Sequence, residues 1–118
     1  MDSGLLLHLC TPATWRMALA AGSVAPPSLL DEGFVHLSTP ALVQLPANAR
    51  FPGRVDLLAL VIDPAKLPAE LRFEPAPDAA DLRFPHHYGP VPAGAVVAVV
   101  PYQPGSDGCF ADPAGLPA

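Results

Sequence analysis

The sequence predicts an α+β domain, and three observations carry that reading. Short continuous apolar runs recur at residues 5–10, 57–62 and 95–100, the pattern of buried strands. Two other stretches set Thr directly before Pro at Thr11-Pro12 and Thr39-Pro40, a capping side chain followed by a residue whose φ already suits a first helical turn. The chain also holds 17 prolines, which exclude a mostly helical bundle because Pro removes a donor and clashes inside a helix. At 118 residues the chain is the size of one domain.

Taken in order, residues 5–10 predict a first strand carrying His8. Thr11 caps a helix with Trp15, Ala18 and Leu19 on its apolar stripe, and Gly22 closes it. Residues 23–32, with Pro26-Pro27, read as a surface loop. A second strand at 34–37 carries His36, and Ser38-Thr39-Pro40 opens a second helix that runs to about residue 47 or 49. The run at 57–62 is the central strand, and residues 63–67 form one helical turn. Residues 71–74 alternate apolar and charged, which predicts a strand with an exposed face. A loop follows at 75–82, and residues 83–90 are too Pro-rich for regular structure although they hold Phe84, His86, His87 and Tyr88. Residues 95–100 are the last strand. The order β-α-β-α-β-β-β lacks the regular alternation of a doubly wound fold. From Pro104 the composition is that of a loose tail, so the expectation is a domain over 1–103 and a tail over 104–118.

Charge narrows the partners. The net charge is −5, with Lys66 and five scattered arginines as the basic residues. Duplex nucleic acid is bound by clustered Lys and Arg, so it is excluded, while a small anion held by one or two arginines is not. Cys10 and Cys109 sit in no metal-ligand or CxxC spacing, which predicts reduced thiols and a cytoplasmic protein. The start lacks a basic signal-peptide region. No apolar run approaches the ~18 residues of a membrane span, so no membrane partner is expected.

The histidines are the chemistry-bearing residues. His8 and His36 interrupt apolar strands, and His86 and His87 share the Pro-rich segment. An inward imidazole must be hydrogen-bonded or titrate, because an unpaired buried polar group costs about 1–3 kcal/mol. One reading makes each a satisfied core residue. The other has His8, His36 and His86 facing one cavity, with His87 as the exposed neighbour, since adjacent residues on an extended segment point opposite ways. No local spacing suits zinc, so no metal is expected, and a metal-dependent hydrolase is the weakest alternative. Ser38 follows His36 by two and shares its strand face, but no GxSxG elbow is present. Ser38 and Thr39 are read first as helix caps. Glu74 ends a strand before the histidine segment. There a carboxylate holds a ribose hydroxyl or stabilises an oxocarbenium-like cation, or is simply a solvated edge charge. Asp31 and Glu32 read as loop charges.

Several of these motifs, in this order, resemble those of the bacterial domain-of-unknown-function family 952. They are Leu7-His8-Leu9-Cys10-Thr11, Thr14-Trp15, the stretch from Pro27 through Gly33-Phe34-Val35-His36-Leu37-Ser38, Leu60-Val61-Ile62-Asp63-Pro64, and Phe73-Glu74 with the Phe84–Pro90 loop. The resemblance covers about residues 4–102. It implies an ADP-ribosyltransferase-like fold, two small mixed or antiparallel sheets around a groove with two short helices. It further implies that the groove takes NAD or another ribose-containing nucleotide. On that analogy His8 grips the ribose or phosphate region, and His36 and Ser38 support the nicotinamide end. Glu74, or the segment from His86 to Tyr88, supplies the third element. Glu74 and His36 are then the catalytic pair of a glycosyl-type transfer, and His8, Ser38, His86 and Tyr88 bind the nucleotide. The two-acid loop of many such transferases is absent here. The alternative is a nucleotide-binding or sensing module without chemistry.

Overall fold

A computed structural model describes residues 4–76 and 79–111. The chain opens with β1 (Leu6–Cys10), α1 (Pro12–Ala21), β2 (Ser23–Val24), α2 (Pro27–Asp31), β3 (Val35–His36) and α3 (Gln44–Arg50). It continues with β4 (Leu58–Ile62), a 3-10 turn (Pro64–Lys66), β5 (Leu71–Ala76), β6 (Ala79–His87) and β7 (Val91–Pro92). A second 3-10 turn (Ala93–Ala95) leads into β8 (Val96–Pro101). This is a small α+β fold with three α-helices and antiparallel sheets.

Among the described residues the strands form three sheets, ordered β1-β4-β8, β2-β7 and β3-β6-β5. β4 sits between two partners, with Leu60 opposite His8 on one side and Val99 on the other. Its unbroken apolar run follows from that position, because both of its faces are covered. Leu60 and Ile62 pack with Leu6, Cys10, Val24, Val35 and Leu37 on one face. Ala59 and Val61 pack with Leu7, Val43, Ala47 and Phe110 on the other. His8 lies between Leu6 and Cys10 along β1, and alternation turns it toward the first of these cores. The first helix matches its sequence signals: Thr11 accepts from the Thr14 N–H, and Gly22 closes α1 at φ 89°, a left-handed conformation that Gly adopts without steric cost.

Five expectations are corrected. Residues 23–32 are not a plain loop, since they hold β2 and α2. Ser38 does not cap the second predicted helix. Its backbone exchanges two hydrogen bonds of 2.8 Å with Leu7, and that extended pairing delays α3 until Gln44, where no side chain caps the helix. Where two sheets and two helices were expected, the described residues form three sheets and three α-helices.

Of the segment expected to be irregular at 83–90, residues 83–87 belong to β6 (Ala79–His87), which also takes in part of the loop before it and is the middle strand of its sheet. Pro85 is tolerated inside it because the Pro85 carbonyl accepts from Leu37 N–H just past the end of β3. In an antiparallel ladder a residue's N and O face the same neighbour, so the missing donor falls where β3 has already run out. Residues 104–111, assigned to a tail by composition, lie against the body. Phe110 is buried, and its backbone N–H and C=O both bond the Asn48 side chain, at 2.7 and 3.0 Å. Residues 112–118 of that tail lie outside the described residues. No helix among the described residues is long and apolar enough to cross a membrane.

Candidate functional site

The β3-β6-β5 sheet builds the site by alternation. Val35, His87 and Leu71 lie in one register row. His36, His86 and Arg72 form the next, on the opposite face. Phe34, Tyr88 and Glu74 extend that second face. The register therefore reverses the expectation for the adjacent histidines. His87 is fully buried, at 0% exposure, and His86 is on the partly open face. Two hydrogen bonds hold His87: its Nδ1 donates to Gly89 O at 2.8 Å, and its Nε2 accepts from Ala69 N–H at 3.1 Å. The reasoning that neighbours point apart was sound; the identity of the covered face depends on which side of the sheet meets the core.

A cavity of about 360 Å³ opens beside this face. His8, His36 and Ser38 line it together with Glu32, Arg50 and Thr14. His8 Nδ1 donates to His36 O at 2.8 Å, since a carbonyl only accepts, so the neutral ring keeps its lone pair on Nε2. Burial holds the His8 imidazole below its usual pKa. His36 Nε2 donates to Glu32 Oε1 at 2.9 Å, and its Nδ1 faces Arg50 Nη2 at 3.5 Å. Burial also lowers the His36 pKa, against the Glu32 bond and with the Arg50 charge. The cavity wall thus carries two imidazoles disposed to be neutral, one guanidinium and one carboxylate. Cys10 lines it as well, but burial pushes its thiol up to about 11, which removes it as a nucleophile at neutral pH.

Glu74, His86 and Tyr88 do not line the cavity. They form an adjoining cluster on the same sheet face. Glu74 lies within β5 rather than at its end, and its Oε1 accepts from both His86 Nδ1, at 2.8 Å, and Tyr88 Oη. The Tyr88 bond first, then His86, holds the Glu74 carboxyl below its usual pKa, while the Tyr88 phenol is pushed up. Arg72 lies 4.9 Å over the Tyr88 ring. Phe34 stacks on His86 at 4.0 Å between centroids, and the His36 and His86 rings meet edge-on at 5.2 Å. His8, His36, His86, Glu74 and Tyr88 are therefore one continuous chain of contacts, with its two ends in different surroundings.

Sequence reasoning missed Arg50, Glu32 and Phe34. Phe34 had a usable signal, since it precedes His36 by two on one extended segment. Glu32 passed as a loop charge, although it stands four residues from its partner. Arg50 is the last residue of α3, and nothing local marks it. Among the described residues no three His, Cys, Asp or Glu side chains gather at metal-ligand spacing.

A family model described as a protein of unknown function, DUF952, matches residues 9–99. The chain belongs to the DUF952 family. The matched span holds His36, Ser38, Glu74, His86 and Tyr88, with His8 one residue before it. This DUF952 chain is similar to protein CC0527 from Caulobacter crescentus. Against that protein's crystal structure the TM-score is 0.78 at 29% identity, covering 91% of this chain and 93% of the other. Against its solution NMR structure the TM-score is 0.74 at 28% identity, covering 91% of each chain. No curated protein matches the sequence.

Proposed function

We propose that this DUF952 protein binds a ribose-containing nucleotide, NAD first among them, in the cavity walled by His8, His36, Ser38 and Arg50, and presents it for ADP-ribosyl-type transfer. The observation that carries the reading is the donor and acceptor pattern of that wall. His8 Nε2 is a lone-pair acceptor beside the cavity, suited to a ribose hydroxyl. Arg50 appears in no ion pair among the described residues, whereas Arg54 and Arg72 are matched to Asp56 and Glu70. A guanidinium with spare donors suits a phosphate or diphosphate. The volume of about 360 Å³ lies within the roughly 300–1,000 Å³ usual for small-molecule sites. The Phe34–His86 stack next to it offers a planar surface for a base or nicotinamide ring. The ADP-ribosyltransferase-like fold implied by the family resemblance agrees with this reading.

The test is calorimetric titration of the protein with NAD, ADP-ribose and AMP. Binding in the micromolar to low millimolar range is expected, and His8→Ala and Arg50→Ala should each weaken it about tenfold, the loss of roughly one hydrogen bond or ion contact. If none of the three ligands binds at millimolar concentration, the nucleotide reading is refuted. Nicotinamide release on incubation with NAD separates a transferase from a sensing module.

A further inference from the structure

We infer that His86 is the general base of the transfer step and that Glu74, pinned by Tyr88, is the residue that positions it; the inference rests on the nucleotide reading above. The four histidines separate by what their ring nitrogens already do. Both nitrogens of His87 are bonded to backbone in the core. Both nitrogens of His36 are engaged, by Glu32 and Arg50. His8 keeps an open Nε2, but burial makes it a weak proton acceptor, better fitted to hold a ligand hydroxyl.

His86 alone pairs one nitrogen with a carboxylate and leaves the other open. Its Nδ1 faces Glu74 Oε1 at 2.8 Å, so Nδ1 carries the hydrogen and Nε2 the lone pair. The side chain keeps 12% exposure, and its ring meets edge-on, at 5.2 Å, that of His36, which lines the cavity. A base oriented by a carboxylate that is itself held by a third group is the general arrangement of activated nucleophile sites. Phe34 on one ring face and His36 at the edge fix the plane of the imidazole. Arg72 and Tyr88 flank the carboxylate from β5 and the end of β6.

The step needs one base and no acid. A hydroxyl of water or an alcohol attacks C1′ of the nicotinamide ribose, and its proton passes to His86 Nε2. The C1′–O bond forms as the C1′–N bond breaks. The bonding pair neutralises the pyridinium nitrogen, so nicotinamide leaves uncharged, and the proton is then lost to solvent. Glu74 stabilises the imidazolium through Nδ1 rather than touching the sugar, which replaces the direct catalytic role expected for it from sequence.

The experiment measures nicotinamide release from NAD, with water and with ethanol as acceptor, for wild type, His86→Gln and Glu74→Gln, alongside NAD affinity. Loss of a general base costs about 10²- to 10⁴-fold in rate. His86→Gln should therefore lower kcat at least a hundredfold and change KM less than threefold. Glu74→Gln should lower kcat about tenfold at unchanged KM, and nitrogen-15 NMR should show the Nδ1–H tautomer of His86 in wild type and a mixture in this variant. If His86→Gln does not fold, Glu74→Gln decides by the same kcat and tautomer readings. A His86→Gln enzyme with wild-type kcat overturns the inference and leaves the nucleotide reading standing. So does a wild type that binds NAD and releases no nicotinamide. Absence of NAD binding removes both.

Discussion

His87 is the buried polar residue on which the sheet depends most. Replacing it with Leu roughly conserves volume and removes both hydrogen bonds at once. Ala69 N–H loses an acceptor 3.1 Å away and Gly89 O loses a donor at 2.8 Å. His87 itself is at 0% exposure and both bonds are part-buried, so water replaces them only in part. Each orphaned group costs about 1–3 kcal/mol, and the added apolar burial offsets a part, so His87→Leu should destabilise by about 3 kcal/mol. Against a total of about 5–15 kcal/mol for a domain, that is a large fraction. At roughly 3–4 °C per kcal/mol for a chain of this size, the thermal midpoint should fall by about 10 °C. His86→Leu is the internal control. It breaks one bond to a partly exposed carboxylate and should change stability by less than about 1 kcal/mol. Circular dichroism during thermal and urea unfolding measures both. A His87→Leu variant that melts within 2 °C of wild type, or a larger loss in His86→Leu, would refute the assignment of inner and outer faces.

Two further expectations concern protons and thiols. Cys10 is buried with its thiol pushed up to about 11, whereas Cys109 is exposed. A disulfide reagent at pH 8 should label one thiol per native chain rapidly and the second only on unfolding; equal rapid labelling of both would contradict the burial of β1. His8 is held below its usual pKa by burial, so the unfolded chain takes up its proton first as pH falls below about 6.5. Stability should accordingly be full above that pH and decline below it. His8→Gln should remove part of the decline between pH 6.5 and 5, with His36, shifted in the same direction, accounting for more. Equal pH slopes in urea unfolding of wild type and variant would count against a buried His8.

How much was legible depends on how local the cause is. The ends of α1 were readable because Thr11 and Gly22 act on their own helix within four residues. β4 was readable because a continuous apolar run needs two covered faces wherever the chain goes. The approach of His8 and His36 was anticipated because an imidazole among buried apolar residues must meet a partner. What the sequence left open depends on register and on neighbours distant in the chain. Ser38 has the chemistry of a cap, but Leu7, 31 positions away, claims its backbone for a ladder. Pro85 looks like a strand breaker, yet its missing donor falls past the end of β3. Glu32 and Arg50 become site residues only when α3 is brought against the turn before β3. Which of His86 and His87 faces the core is a parity that shifting the register by one residue would invert. Local propensity cannot set that parity; the packing of Val35, Leu37, Pro85 and His87 against the interior does.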